Sequence, residues 1–212
     1  TKNSTNGKDK KTIGVKNFPV VAIGASAGGI EAISKLLENL SPRLGMAYVI
    51  IQHPAPEHES ILPELLERKT SMPVRQVEDG MVVKADNVYV IPPNTYMSIT
   101  DGHLKLSPRV KADGVYHSID FFLNALARVY KTKAIAVILS GSATDGSQGV
   151  QSIKAEGGIT FAQDDSAKFL SMPLNAIDSG YIDFILSPKE IAKQLESFPK
   201  IVYSVAGINK PS

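Results

Sequence analysis

Apolar positions along this chain keep two rhythms. Unbroken runs such as "FPVVAIG" (18–24), "AYVIIQH" (47–53) and "KAIAVILS" (133–140) are too short for helices and read as strands buried on both faces. Between them the apolar residues recur every three or four positions. Ile30, Ile33, Leu36, Leu37 and Leu40 form one helical face, and Ile119, Phe122, Leu123, Leu126 and Tyr130 form another,. Ile61, Leu62, Leu65 and Leu66 mark a shorter helix after the loop "PAPEHES". Ser118 is placed to cap the helix it precedes.

The stretch "NVYVIPPNTYMSITDGHLKLS" (87–107) alternates instead, and Asp101-Gly102 breaks it with a two-residue hairpin turn,. It predicts antiparallel strands added to the main sheet. "ITFAQ" and "YIDFIL" predict two more strands, with a short helix in "MPLNAIDSG" between them. Ser187, Pro188 and Glu190 spell a capping box with proline at the first helical position, opening a last helix,. Buried strands joined by helices predict an α/β fold: a doubly wound, mostly parallel sheet with helices on both faces and an added antiparallel hairpin.

Composition narrows the class. With 43% hydrophobic and 21% charged residues over 212 positions, the chain reads as an ordinary globular protein able to bury its own core. The formal net charge of +2 gives no electrostatic footprint for nucleic acid. No cysteine is present, which excludes disulfides, thiolate metal sites and a cysteine nucleophile and fits a reducing compartment. No apolar run reaches the length of a membrane span. Residues 1–17 are polar and lysine-rich and read as a disordered tail or linker, 18–198 as the folded domain, and 199–212 as a C-terminal extension or linker,. A start at Thr1 suits a piece of a longer protein and a trimmed chain equally.

The chemistry gathers where strands end. Gly24-Ala25-Ser26-Ala27-Gly28 has serine where a dinucleotide fingerprint needs glycine, and no Gly-Lys-Ser/Thr follows, so both phosphate-loop readings fail. It does match G-x-S-x-G, a tight strand-to-helix turn that lifts a serine oxygen into the open. A plain turn whose serine caps the helix competes with that reading. A serine nucleophile needs a base. Of His53, His58, His103 and His117, only His53 is delivered by a buried strand to the edge where Ser26 stands. A metal site at His53 and His58 lacks a third ligand. Asp145, in "LSGSATDG" after the third strong strand, can orient the imidazole; a helix N-cap aspartate is the bland alternative. A receiver or nucleotide binder would need acids or a phosphate loop after the first strand, where Gly24, Ala25 and Ser26 stand.

The motifs "GASAGG", "IIQH", "LSGSATDG" and "MPLNAIDSG", in that order, resemble the catalytic domain of the chemotactic receptor methylesterase family (CheB), over about residues 18–197. The resemblance implies a cytoplasmic hydrolase with no cofactor. It would remove methyl esters from glutamate side chains on chemoreceptor helices, and many members also deamidate receptor glutamines. The family's nucleophile falls on Ser26, its histidine on His53 and its aspartate on Asp145. Amides of Ala27 and of the turn Gly141, Ser142 and Ala143 would form the oxyanion site. The chain departs from the family pattern at Ala27, Ser142 and Thr144, which puts rate and substrate range in question and keeps a catalytically idle signalling adaptor as the alternative. The family's usual N-terminal receiver is absent from this sequence, which fits a domain working beside other signalling domains of one longer chain.

Overall fold

A computed structural model describes residues 18–52, 61–109 and 117–206, with side chains described up to residue 198. Seven strands form one sheet: β1 (Val20–Ala25), β2 (Ala47–Gln52), β3 (Val74–Gln76), β4 (Val88–Val90), then, past a hairpin of β5 (Thr95–Thr100) and β6 (His103–Pro108), β7 (Ala134–Ile138), β8 (Ile159–Gln163) and β9 (Phe184–Leu186). The helices are α1 (Gly29–Glu38), α2 (Leu62–Glu67), α3 (Ser118–Tyr130), α4 (Ser147–Ala155), α5 (Ser171–Asp178) and α6 (Pro188–Ala206).

The sheet order is β3-β4-β2-β1-β7-β8-β9, and every pairing in it is parallel. The chain starts at the centre, works out to one edge, returns beside β1 as β7, and works out to the other edge. The loops after β1 and β7 therefore leave in opposite directions. The crevice between them, outside the carboxyl ends of the strands, is where such sheets hold their sites.

The two faces have separate cores. Val21, Ile23 and Ala25 of β1 point to the face covered by α1, α2 and α6. Val20 and Ala22 point to the face covered by α3, α4 and α5. Because both faces are covered, the strands lack polar alternation, and their apolar runs were legible for that reason. Of the helical positions read from spacing, Ile33, Leu36, Leu37 and Leu40 and all of Ile119, Phe122, Leu123, Leu126 and Tyr130 are within the core, whereas Ile30 is half-buried and Ile61, just ahead of α2, is exposed.

Three local expectations change. The hairpin forms around Asp101-Gly102, both at positive φ, but it stands as a two-stranded sheet of its own. Its buried Met97, Ile99 and Leu104 pack into the α3-side core. Val88–Val90, from the same stretch, is instead a parallel strand between β2 and β3. Ser118 is the first residue of α3 and does not cap it; no side chain of the residue preceding α3 does so. The capping box of α6 is as expected, with the Ser187 amide and hydroxyl donating to Glu190 Oε2 and the Glu190 amide donating back to Ser187 Oγ.

Candidate active site

Ser26 follows the last residue of β1 and is held by its backbone. Its amide donates to the Ser140 carbonyl at 3.0 Å, tying the turn to the end of β7. The Gln52 side-chain amide donates to the Ser26 carbonyl at 2.7 Å, tying it to the end of β2. Ser140 adds a second clamp: its buried hydroxyl donates to the Ala27 carbonyl at 2.8 Å and accepts the Phe169 amide at 3.0 Å. The Ser140 amide in turn donates to the Gln163 side chain at the end of β8. Four strand ends thus converge on one turn.

Gly28 makes that turn possible. Its φ of 71° is a conformation that a Cβ disfavours. Gly28, not Ser26, is the N-cap of α1, and no side chain caps that helix. The serine is therefore not a helix cap, which removes the competing reading of the motif. Ser26 lines a cleft of about 520 Å³, together with Gln52, Pro92, Asn94, Arg109 and Lys168 among others.

His53 and His58 lie outside the described residues. Gln52, which immediately precedes His53, ends β2 level with Ala25 of β1. His103 begins β6, with Nδ1 2.9 Å from the Asp101 carbonyl oxygen, in the separate hairpin.

Asp145 is 1% exposed, in the loop between β7 and α4. It is not the cap of the helix it precedes. Its carboxylate accepts the amides of Ile119 and Asp120 at the start of α3, both at 2.8 Å. Asp120 was not singled out by the sequence, yet it is also buried and leans against Asp145. Its Oδ1 accepts the Gly146 and Gly149 amides at 3.0 and 2.6 Å. Burial first, and the Asp145 charge second, push the Asp120 carboxyl up to about 6 against the pull of the two glycine amides. His117 Nδ1 stands 3.8 Å from Asp120 Oδ2. His117, Asp120 and Asp145 bring potential ligand atoms within 4.8 Å of one another, but three of the four carboxylate oxygens already accept amides. The cluster is built to hold helix ends rather than a cation.

The expected oxyanion donors divide. The Gly141 amide is committed to the Phe169 carbonyl at 3.0 Å, because the 140–141 strand end is pinned against the loop before α5. The Ala27 amide has no hydrogen bond among the described residues, and neither do those of Ser142 and Ala143. Gln52, Ser140 and Gln163 were not legible as site residues. Only the quoted motifs that contain the first two pointed near them.

Comparison with known proteins shows the family. The family model described as CheB methylesterase matches residues 21–195. The chain belongs to the CheB methylesterase family. The crystal structure of the Thermotoga maritima CheB methylesterase catalytic domain superposes with a TM-score of 0.80 at 30% identity, covering 86% of this chain and 99% of that one. A Leptospira interrogans protein, provisionally named a protein-glutamate methylesterase/protein-glutamine glutaminase, is 34% identical over 84% of this chain and 93% of its own length. A Thermotoga maritima protein of the same name is 32% identical over 83% of this chain, which spans 53% of that protein. A CheB-like segment also occurs in a 104.1 kDa Rhodobacter capsulatus protein, 39% identical over 65% of this chain and 14% of that protein. Among the described residues, no helix of this CheB domain is long and apolar enough to cross a membrane.

Proposed function

We propose that this domain hydrolyses glutamyl methyl esters on chemoreceptor-type proteins through a Ser26–His53–Asp145 triad. The observation that carries this reading is the clamped turn. Ser26 is fixed by its backbone to β2 and β7 and opens onto a cleft at the sheet's switch point, and the buried Asp145 follows β7 at the same edge. Family membership and relatives named protein-glutamate methylesterase support the substrate class.

In the reaction, His53 accepts the Ser26 proton as Oγ attacks the ester carbonyl. Asp145 stays ionised and stabilises the imidazolium. The tetrahedral oxyanion takes the Ala27 amide, with Ser142 and Ala143 as further donors; each such donor is worth about a hundred- to a thousand-fold in rate. His53 returns the proton to the departing methoxide and methanol leaves. Water, deprotonated by His53, then opens the acyl-enzyme and releases the free glutamate side chain and Ser26. A glutamine carboxamide would follow the same course with ammonia leaving, which suits the glutaminase half of the relatives' name.

Labelling by a serine-directed fluorophosphonate, run beside methanol release from methylated receptor fragments, tests the reading. The native protein should label and release methanol, and Ser26→Ala and His53→Ala should do neither. Turnover retained by Ser26→Ala would remove the nucleophile. A native protein that does not label would instead be the idle adaptor suggested by Ala27, Ser142 and Thr144. The long Rhodobacter relative also suits further signalling domains in one chain as partners.

A further inference from the structure

Asp120 and Asp145 are the only buried carboxylates among the described residues, and they exchange helix caps. Asp145, ahead of α4, holds the first amides of α3, and Asp120, in α3, holds the first amides of α4. Helix N-termini carry unpaired N–H groups and partial positive charge, so each carboxylate is stabilised where it sits. The exchange also makes the pair a single unit, since neither side chain can turn without releasing the other's helix. Capping alone does not need a carboxylate at position 120: a single oxygen, Asp120 Oδ1, takes both glycine amides, and an asparagine carbonyl would satisfy them, whereas two adjacent carboxylates repel. A second charge is kept beside the first at a cost.

We propose that Asp120 is a positioning residue for Asp145, fixing the orientation and the charge with which that carboxylate meets the triad's imidazole. The inference rests on the triad reading above. Burial and the neighbouring Asp145 charge raise the Asp120 carboxyl to about 6, so below that pH Asp120 holds a proton that it can share with Asp145 in a hydrogen bond. The ionisable groups facing the pair among the described residues are few. His117 approaches Asp120 at 3.8 Å, β1 and β7 carry no ionisable residue, β5 carries only Tyr96, and Lys154 of α4 is paired with Asp183.

Asp120→Asn mimics the protonated form at every pH. Its carbonyl oxygen can keep both glycine amides, and its NH₂ can donate to Asp145. A purely structural Asp120 would therefore tolerate this change. The positioning role predicts that kcat above pH 7 falls about tenfold with KM unchanged, since an imidazolium facing less negative charge is less stabilised by roughly one pKa unit's worth of interaction. It also predicts that the acid limb of the pH–rate profile loses steepness, because one of two coupled ionisations is gone. His117→Gln, which removes the other ionisable side chain nearest to Asp120, should leave the limb as it is in the native protein. An Asp120→Asn protein with native kcat and native profile overturns the proposal, as does a His117→Gln protein that loses the limb. Carboxyl-carbon NMR titration of the native protein reads the pair without turnover: Asp120 and Asp145 should titrate together, and independent titrations refute the coupling. If the native protein fails to label with fluorophosphonate, the triad reading falls. Coupled titration in that case marks a structural pair and overturns the positioning role.

Discussion

Replacing Gly149 by alanine sets two effects of known sign against each other. Gly149 lies in α4 and faces α3. A Cβ there would sit 2.6 Å from Leu123 Cβ and 2.7 Å from Leu123 Cδ1. Carbon atoms rest about 3.5–4.0 Å apart, so the shortfall is roughly 1 Å, and it falls on a Cβ that no rotamer change can move. Leu123 is 1% exposed and has nowhere to go. Alanine would gain about 1 kcal/mol of helix propensity over glycine. Overpacking of this kind costs about 1–3 kcal/mol. The helix shift needed to relieve it would also stretch the Gly149 amide off Asp120 Oδ1, a charge-assisted bond worth about 1.5–3 kcal/mol. Packing therefore wins, with a net loss of about 2 kcal/mol. For a chain of this size that lowers Tm by roughly 4–8 °C, read by calorimetry or by the far-ultraviolet circular dichroism melt at pH 7. Fluorophosphonate labelling should slow in the same variant, because the pair that holds Asp145 is loosened. A Tm at or above the native value would refute the close approach of α3 and α4 and the reasoning built on it.

Other changes test other parts of the site. Gly28→Ala forces a side chain into left-handed backbone, about 1–2 kcal/mol, and sets its Cβ 2.7 Å from Ser140 Oγ; labelling of Ser26 should collapse while the far-ultraviolet spectrum is kept. Ser140→Ala removes the hydroxyl between Ala27 and Phe169 and leaves the Phe169 amide unpaired, so the urea midpoint should fall by the equivalent of about 1–3 kcal/mol, and an unchanged midpoint would remove Ser140 as a clamp. The raised Asp120 carboxyl has a stability signature. Between its ordinary value of 3.8 and about 6 the native state holds more protons than the unfolded state, so this group's contribution is fully present below 3.8 and is lost as pH rises through about 6. The stability difference between Asp120→Asn and the native protein, from urea melts at pH 4 to 7, should therefore move in the variant's favour across that window; a flat difference would mean an unperturbed carboxyl.

What the sequence disclosed about this molecule follows burial and locality. β1, β2, β7 and β8 were legible because a strand covered on both faces is mostly apolar, even though β8 buries Thr160 and Gln163,. β3 was not: of Val74, Arg75 and Gln76 only the valine is buried, because an edge strand of three residues leaves too little pattern. The hairpin turn was readable from Asp101-Gly102, since positive φ is a local demand. Which sheet the hairpin joins is decided by packing on α3, and no local signal carries that. The site divides the same way. Ser26 and Asp145 stood out in the sequence because each follows a buried strand, and both lie past those strands in the fold. Asp120 was missed because its partners, Gly146, Gly149 and Asp145, lie 25 or more positions away, and within α3 it looks like any acidic first-turn residue. Ser118 was assigned the cap for the same reason: its hydroxyl is nearby in sequence, whereas the true acceptor arrives from another loop. Gly141 was grouped with its neighbours as an amide donor, and only the fold shows the Phe169 carbonyl that claims it.

The sheet ends at each side on a strand of only three residues, β3 on one flank and β9 on the other. A stranger's strand approaching either border would find too few open rungs to zip onto. The seven-stranded sheet therefore offers little border for one molecule to extend into the next.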